Sequence, residues 1–450
     1  MRKYEKYKSS KETVWYDNIP VNWVSTKMRK VFSERKEKVS DKDYPPLSVG
    51  KMGVVPQLDT AVKTDNGDNR KLIRKGDFAI NSRSDRKGSG GMSNYYGSAS
   101  LIITVLKPHH ELNVNFYHYL LRSHYFSEEF YRNGKGLVSD LWTTKWEEMR
   151  NIYIPIPPRE EQDQIVRYLD WQVSKINHLI HGYQKQINLL DERKTTVINQ
   201  AVTRGIHADV EMQAVEANWV KEIPAHWQFN KVKQHFEIKK RIAGKEGYDV
   251  ISITQQGLKV KDIASNEGQM AANYSKYQFV YPGDYAMNHM DLLTGFIGLS
   301  DIFGVTSPDY RVFSAIDVER TDLKYFLYVF QLGYKRKIFY GLGRGAANKG
   351  RWRMPAINFK NYDIPVPPIE EQREIVEYIE QETEKIDLLK REVEKQIEHL
   401  REYRTRLISD VVAGQIDVRD VVIPEYIPGE DNEIDTSDGE DAEEVAENAE

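Results

Sequence analysis

Arg83-Ser84-Asp85-Arg86-Lys87 runs straight into Gly88-Ser89-Gly90-Gly91. Cations beside glycines suit a loop that lets the backbone of a polyanion come close. Asn81 stands just ahead of that loop. Asn288 holds the matching place further on, where Pro282-Gly283-Asp284-Tyr285-Ala286-Met287-Asn288 parallels Lys75-Gly76-Asp77-Phe78-Ala79-Ile80-Asn81. An amide that both donates and accepts fits the edge of adenine. Further amides and cations stand at His289, Gln255-Gln256, Lys135 of Gly134-Lys135-Gly136, Arg344 of Gly343-Arg344-Gly345, and Asn348-Lys349-Gly350-Arg351-Trp352-Arg353. Arginine pairs with guanine or phosphate, and Asn or Gln with adenine. Singly, each has a plainer account as a solvated charge or a turn-capping amide. As a set they favour duplex DNA as the ligand.

Catalytic chemistry has less to stand on. With no cysteine, thiolate metal sites, Cys nucleophiles and disulfides are excluded. The glycine clusters lack both G-x-G-x-x-G and G-x-x-x-x-G-K-[ST] spacing. Pro308-Asp309 followed by Asp322-Leu323-Lys324 has the residue types of a carboxylate–carboxylate–lysine nuclease centre, but Asp322 is placed to open a helix. The histidines show no H-x-x-x-H pair, and no Ser-His-Asp set follows from spacing. A Phe-x-Gly-x-Gly loop and an Asn/Asp-Pro-Pro-Tyr/Phe motif, expected of a DNA amino-methyltransferase, are missing, and Asp43-Tyr44-Pro45-Pro46 has the wrong order. No catalytic residue and no metal ligand is nominated.

The elements that carry these residues occur twice. Ile154-Pro155-Ile156-Pro157-Pro158-Arg159-Glu160-Glu161-Gln162 returns as Ile364-Pro365-Val366-Pro367-Pro368-Ile369-Glu370-Glu371-Gln372. From Asn151 to Ile206 and Asn361 to Ile416 the copies align without a gap at a shift of about 210 residues, with about two in five positions identical. Trp15 to Trp23 and Trp219 to Trp227 both read W-x-x-x-I-P-x-x-W, and Leu47-Ser48-Val49 has a counterpart in Ile251-Ser252-Ile253. Trp142 and Trp352 follow the two Gly-basic-Gly runs at the same place relative to the next Pro-Pro. Between landmarks the modules differ almost completely. Each mixes short β-rich runs, such as Ser100 to Val105 and Asp249 to Ile253, with one helix, Phe116 to Phe130 or Leu323 to Tyr340. The expected class is α+β, as two mixed modules with an internal repeat of pseudo-two-fold character.

Each Pro-Pro fixes the start of a long helix, with acids in its first turn. Ile176, Ile180, Tyr183, Ile187 and Leu190 form an a/d stripe, and Ile386, Leu389, Val393, Ile397 and Leu400 a comparable one. About 45 residues span roughly 65 Å. A lone amphipathic helix of that length cannot bury its stripe, so the rods are expected to form an antiparallel coiled coil. Two separate coiled coils with other chains are the alternative. The expected domains are 1–150, a first module; 151–208, a rod; 209–360, a second module; 361–418, a rod; and 419–450, an acidic tail expected to be disordered. The net charge of −4 hides a segregation. The modules carry about +9 and +7, the rods together about −7 and the tail about −13. No signal peptide and no apolar stretch of membrane-spanning length is seen, which makes the cytoplasm the expected compartment.

Two variable modules, each introduced by W-x-x-x-I-P-x-x-W and closed by I-P-[IV]-P-P-x-E-E-Q plus a long helix, resemble the specificity subunit of type I restriction–modification systems. The resemblance runs from about Trp15 to Val418. It implies that each module is a target recognition domain reading one half of a split, asymmetric DNA sequence. It implies that the helices set the gap and dock two methyltransferase (modification) subunits, which restriction subunits join. S-adenosylmethionine, ATP and Mg²⁺ would then sit on the partners, with no cofactor in this chain and no membrane involved. The alternatives are a specificity subunit of a methylation-only system, and a coiled-coil scaffold without DNA binding. Expected DNA contacts are Asn81, Arg83, Arg86, Lys87, Lys135, Gln255, Gln256, Asn288, His289, Arg344, Asn348, Lys349, Arg351 and Arg353. The resemblance assigns helix starts and partner docking to Pro157, Pro158, Glu160, Glu161, Gln162, Pro367, Pro368, Glu370, Glu371 and Gln372.

Overall fold

The computed structural model describes residues 2–10, 13–57, 67–83, 88–136, 142–255, 257–262, 273–345 and 352–425. The chain divides into two compact units, Met1–Lys185 with Glu394–Glu450, and Gln186–Val393. The acidic run beyond residue 425 lies outside the described residues.

Each unit is built around a four-stranded antiparallel sheet. In the first the order is Gly90–Met92, Phe78–Asn81, Ile103–Pro108, Phe32–Glu34. In the second it is Ile297–Leu299, Tyr285–Met287, Arg311–Ala315, Phe236–Lys239. The two orders are equivalent, because the two G-D-[FY] runs supply the matching strands Phe78–Asn81 and Tyr285–Met287. A hairpin accompanies each sheet, Leu47–Gly50 with Gly53–Pro56 and Ile251–Thr254 with Gly257–Val260. The strand after each W-x-x-x-I-P-x-x-W, Val24–Lys27 or Gln228–Lys231, pairs with the I-P-[IV] strand, Tyr153–Ile156 or Asp363–Val366.

Aromatic side chains fill the second unit. Phe236, Tyr285, Phe313, Phe326, Phe330 and Phe359 are fully or almost fully buried, and Ile198, Val202, Ile375 and Ile379 from the long helices join them. In the first unit Trp23, Phe32, Phe78, Phe116 and Phe126 take that role. Burying each such ring contributes roughly 1.5–3 kcal/mol.

The long helices are Arg159–Arg204 and Ile369–Val412. In the first unit Gln164 bonds the carbonyls of Val418 and Val421, while Arg404 donates to Asn177. In the second, Lys194 pairs with Asp387 and Lys390 with Asp191. Numbers rise on one helix as they fall on the other, so the segments are antiparallel in both units. One expected seam position moves. Leu389 is 57 % exposed, whereas Ile386, Val393 and Ile397 are buried. Keeping a heptad rhythm through those three places Lys390 in the seam, where Asp191 receives it. No described helix is long and apolar enough to cross a membrane.

Two expected helices are broken. Phe116 to Phe130 is two helices, Val114–Arg122 and His124–Arg132. Ser123 stops the first by donating to the Leu120 carbonyl, and caps the second by accepting from Phe126 N. Leu323 to Tyr340 is likewise Leu323–Lys335 and Ile338–Gly341, parted at Lys337, whose φ is +55°.

Candidate nucleic-acid interface

Some of the expected ligand-contacting residues meet at corresponding places of the two frames. In the first unit Lys135 and Thr143 exchange two backbone hydrogen bonds, 2.9 and 3.0 Å, and Thr144 N donates to the Ser82 carbonyl at 2.9 Å. Arg83 also bridges to Thr143. The end of strand Phe78–Asn81, Arg83 and Lys135 therefore meet. In the second unit Arg344 and Arg353 exchange bonds of 2.8 and 3.1 Å, and Met354 N donates to the His289 carbonyl at 3.0 Å. Asn288, His289, Arg344 and Arg353 meet in the same way.

Each of these arms is pinned by an indole. Trp142 Nε1 donates to the Tyr131 carbonyl at 2.9 Å, and Trp352 Nε1 to the Tyr340 carbonyl at 2.7 Å. The ring lies so close over Gly134 or Gly343 that an added Cβ would collide with its Nε1. Here glycine is required by close approach.

The side chains differ in what they can offer. Arg83, Lys135, Gln255, Arg344 and Arg353 are exposed. Lys135 has Glu148 at 3.2 Å, and Gln255 donates to the Thr294 carbonyl at 2.7 Å, which ties it to the turn after Asn288. Asn288 is half-buried, and its side-chain oxygen accepts from Met290 N and Asp291 N. Asn81 is only 1 % exposed, and its oxygen accepts from Arg83 N. The matched asparagines thus shape their own turns, the role that amides take in Asx turns. Burial first, then Arg311 and Arg353, push His289 down to about 4, so it is neutral near pH 7. Arg86, Lys87, Gln256, Asn348, Lys349 and Arg351 lie outside the described residues.

Sequence reading missed Arg311. It is 5 % exposed, donates to the Met354 carbonyl at 2.7 Å and stacks on Phe359 at 5.0 Å. It braces the arm from beneath, and nothing local in the sequence marks it.

The I-P-x-P-P-x-E-E-Q motifs divide the same way in both copies. Pro158, Glu160, Pro368 and Glu370 are exposed, whereas Pro157, Glu161, Gln162, Pro367, Glu371 and Gln372 are buried. Gln162 Nε2 donates to the Pro157 carbonyl and Gln372 Nε2 to the Pro367 carbonyl, both at 2.9 Å. Glu161 accepts from Tyr4, from Asn22 at 2.8 Å and from Trp23 at 2.9 Å. Glu371 takes His226 at 2.7 Å. These buried members tie the W-x-x-x-I-P-x-x-W segment to the start of the helix.

Asp322 caps the helix Leu323–Lys335, accepting from Lys324 N and Tyr325 N. Among the described residues no group of three or more His, Asp or Glu could hold a metal ion.

The type I restriction modification DNA specificity domain matches this chain twice, at residues 20–189 and 224–399. The chain is 25 % identical over 290 residues to the type I restriction enzyme MjaVIII specificity subunit of Methanocaldococcus jannaschii, covering 60 % of this chain and 64 % of that protein. The match therefore spans a little under two thirds of that relative. It is 22 % identical over 403 residues to the putative type I restriction enzyme MjaX specificity subunit of the same organism, covering 86 % and 87 %. A solved chain from work on complex assembly and conformational transition of the type I R-M system matches with a TM-score of 0.58 at 15 % identity, covering 88 % of this chain and 99 % of that one. That likeness shows the fold.

Proposed function

The chain belongs to the type I restriction modification DNA specificity family, and from that premise we propose that it is the sequence-reading subunit of a type I restriction–modification complex. One observation carries the reading at residue level. The same bridged arm presents an exposed cation at one matched place, Lys135 or Arg344, while the other exposed cations differ in position, Arg83 in the first unit and Arg353 in the second. Equal frames with unequal contents suit two half-sites of an asymmetric duplex target. Cations on exposed arms suit phosphates and guanine edges.

Each unit reads one half of the target, and the long helices set the gap. The partners are two methyltransferase subunits, joined by restriction subunits. They carry S-adenosylmethionine, ATP and Mg²⁺, and this chain is not itself catalytic. Exposed Leu179, Leu189, Leu388 and Leu389 on the long helices are the apolar surface such partners would cover.

Two measurements test this. The assembled complex binds duplex DNA with an affinity that falls steeply with salt; salt-independent binding, or none, leaves the protein-only scaffold standing. Replacing residues 209–360 with the corresponding module of a relative alters one half of the methylated sequence and leaves the other. A change in both halves together defeats the modular reading.

A further inference from the structure

The arms that carry the cations are thinly held. Among the described residues the first arm has two isolated bridges, from Thr143 to Lys135 and to Arg83, and the second has one, Arg344 with Arg353, all outside any sheet. A further backbone bond fastens each arm to its sheet, at Ser82 or His289. Isolated bridges leave the backbone freer to twist than a continuous ladder does, and a cation on such an arm would wander by more than a base edge tolerates. Base contacts need their donors held to about half an ångström. Something else must fix the register.

The indole supplies it. Trp142 and Trp352 stand next to the bridged residues Thr143 and Arg353, and their Nε1 groups donate back to Tyr131 and Tyr340. Their rings lie tilted against those same tyrosines, with centroids 6.0 and 5.5 Å apart. The glycine at the other side of the bridge lets the Nε1–Cδ1 edge of the ring approach the chain closely. Both indoles are half-buried, and Trp352 packs on the rim of the second unit's hydrophobic core, which anchors the arm to that core. What surrounds them differs, Lys-Thr in one copy and Arg-Arg in the other, while glycine and tryptophan stay.

We propose that the clasps Gly134–Trp142 and Gly343–Trp352 are positioning devices for sequence discrimination, each holding the cation-bearing arm of its own unit in register against DNA. The inference rests on the reading of each unit as a DNA-reading module. The tryptophans are positioning residues; the readers are the side chains on the arms they hold.

The test uses the complete complex with its modification partners. Trp352→Phe keeps a ring and removes the Nε1 donor; Trp142→Phe does the same in the other unit; Gly343→Ala displaces the ring from the other side. Methylation rates are measured on duplexes carrying a mismatch in one half-site at a time, and binding is measured against salt. Trp352→Phe should lower discrimination against mismatches about tenfold in one half-site only, within the range that a single mismatched base pair commands. The salt slope should not move, because phosphate contacts do not need that precision. Trp142→Phe should affect the other half-site, and Gly343→Ala should repeat the effect of Trp352→Phe. Unchanged discrimination in folded variants overturns the proposal. So does an equal loss at both halves, or a failure to assemble, which would make the clasp a folding element. A parent complex that prefers neither half-site would instead sink the DNA-reading role itself.

Discussion

The two helix starts perform one task with different chemistry. In the first unit Glu161, 6 % exposed, gathers Tyr4, Asn22 and Trp23 around one carboxylate. In the second, Glu371 takes only the His226 ring, and Trp227 Nε1 is buried with no hydrogen-bond partner among the described residues. Closure differs as well. The first hub is finished by two segments far apart in sequence: Asp417 N donates to the Arg2 carbonyl and the Arg419 guanidinium lies 4.9 Å over the Tyr4 ring. The second is finished by continuous chain, since the strand Met212–Ala214 follows closely on the helix ending at Arg204. A frame can thus keep its shape while its polar wiring is replaced, provided the glutamate stays at the helix start.

That contrast breaks most sharply at the glutamates. Glu161→Ala strands the buried Tyr4 hydroxyl and Trp23 Nε1, each costing about 1–3 kcal/mol, so the first unit should lose roughly 3 kcal/mol or more. Glu371→Ala removes one bond from a half-exposed histidine and should cost about 1 kcal/mol. Chemical denaturation followed through each unit measures both. Equal losses would show that the denser wiring adds nothing.

The closure can be cut directly. Ending the chain after Ile416 removes Val418, which is fully buried, and the two carbonyls that Gln164 holds. The first unit should lose about 2 kcal/mol. Amide exchange should rise around Tyr7–Ser9 and stay constant around Met212–Ala214. Equal change in both segments would mean that the residues after Ile416 do not serve one unit in particular.

How far sequence could see follows the same line. The E-E-Q helix starts, the two W-x-x-x-I-P-x-x-W segments and the long helices were legible because each is a local pattern that occurs twice. The polar wiring was not. Nothing near Glu161 in sequence announces Tyr4, more than 150 residues away, and nothing near Arg311 announces the Met354 carbonyl. Ser123 broke a helix whose apolar rhythm runs straight through it, because a hydroxyl can cap as well as decorate. Leu389 looked like a seam residue by type, yet an ion pair between Lys390 and Asp191 occupies that level. Asn81 and Asn288 were found as a matched pair from sequence; only the structure shows that their oxygens are occupied by their own turns.

Acid should separate the units more gently. His118 in the first unit is held down to about 3 by burial and then by Arg122, whose guanidinium donates to it at 2.7 Å. His289 in the second is held at about 4. A histidine whose folded value lies below its unfolded value of about 6.5 stays neutral in the fold while the unfolded chain takes up a proton. Its contribution is complete above about pH 6.5 and is lost as pH falls, towards about 4 for His289 and about 3 for His118. His289→Gln should flatten the acid slope of the second unit across that window and leave the first unit's slope in place. An unchanged slope would mean that His289 is solvated in solution.

The smallest effect compares two matched cations, Lys135 and Arg344. Both sit in the bridged arm of a Gly-basic-Gly run, and both are exposed. Lys135 has Glu148 at 3.2 Å, and an exposed ion pair of that kind stabilises by less than about 1 kcal/mol. Its charge is nonetheless partly answered before DNA arrives. Removing a cation that contacts phosphate lowers the salt slope by about one unit. Arg344→Ala should show that full change in the assembled complex, and Lys135→Ala at least as much, because Glu148 is then left facing the phosphates alone and salt relieves that repulsion, which flattens the slope further. Lys135→Ala combined with Glu148→Gln removes that repulsion and should move the slope less than Arg344→Ala, because the deleted pair already carried little net charge. If the double variant moves the slope as far as Arg344→Ala does, Glu148 does not answer the Lys135 charge in the complex and the two arms are equivalent from the outset.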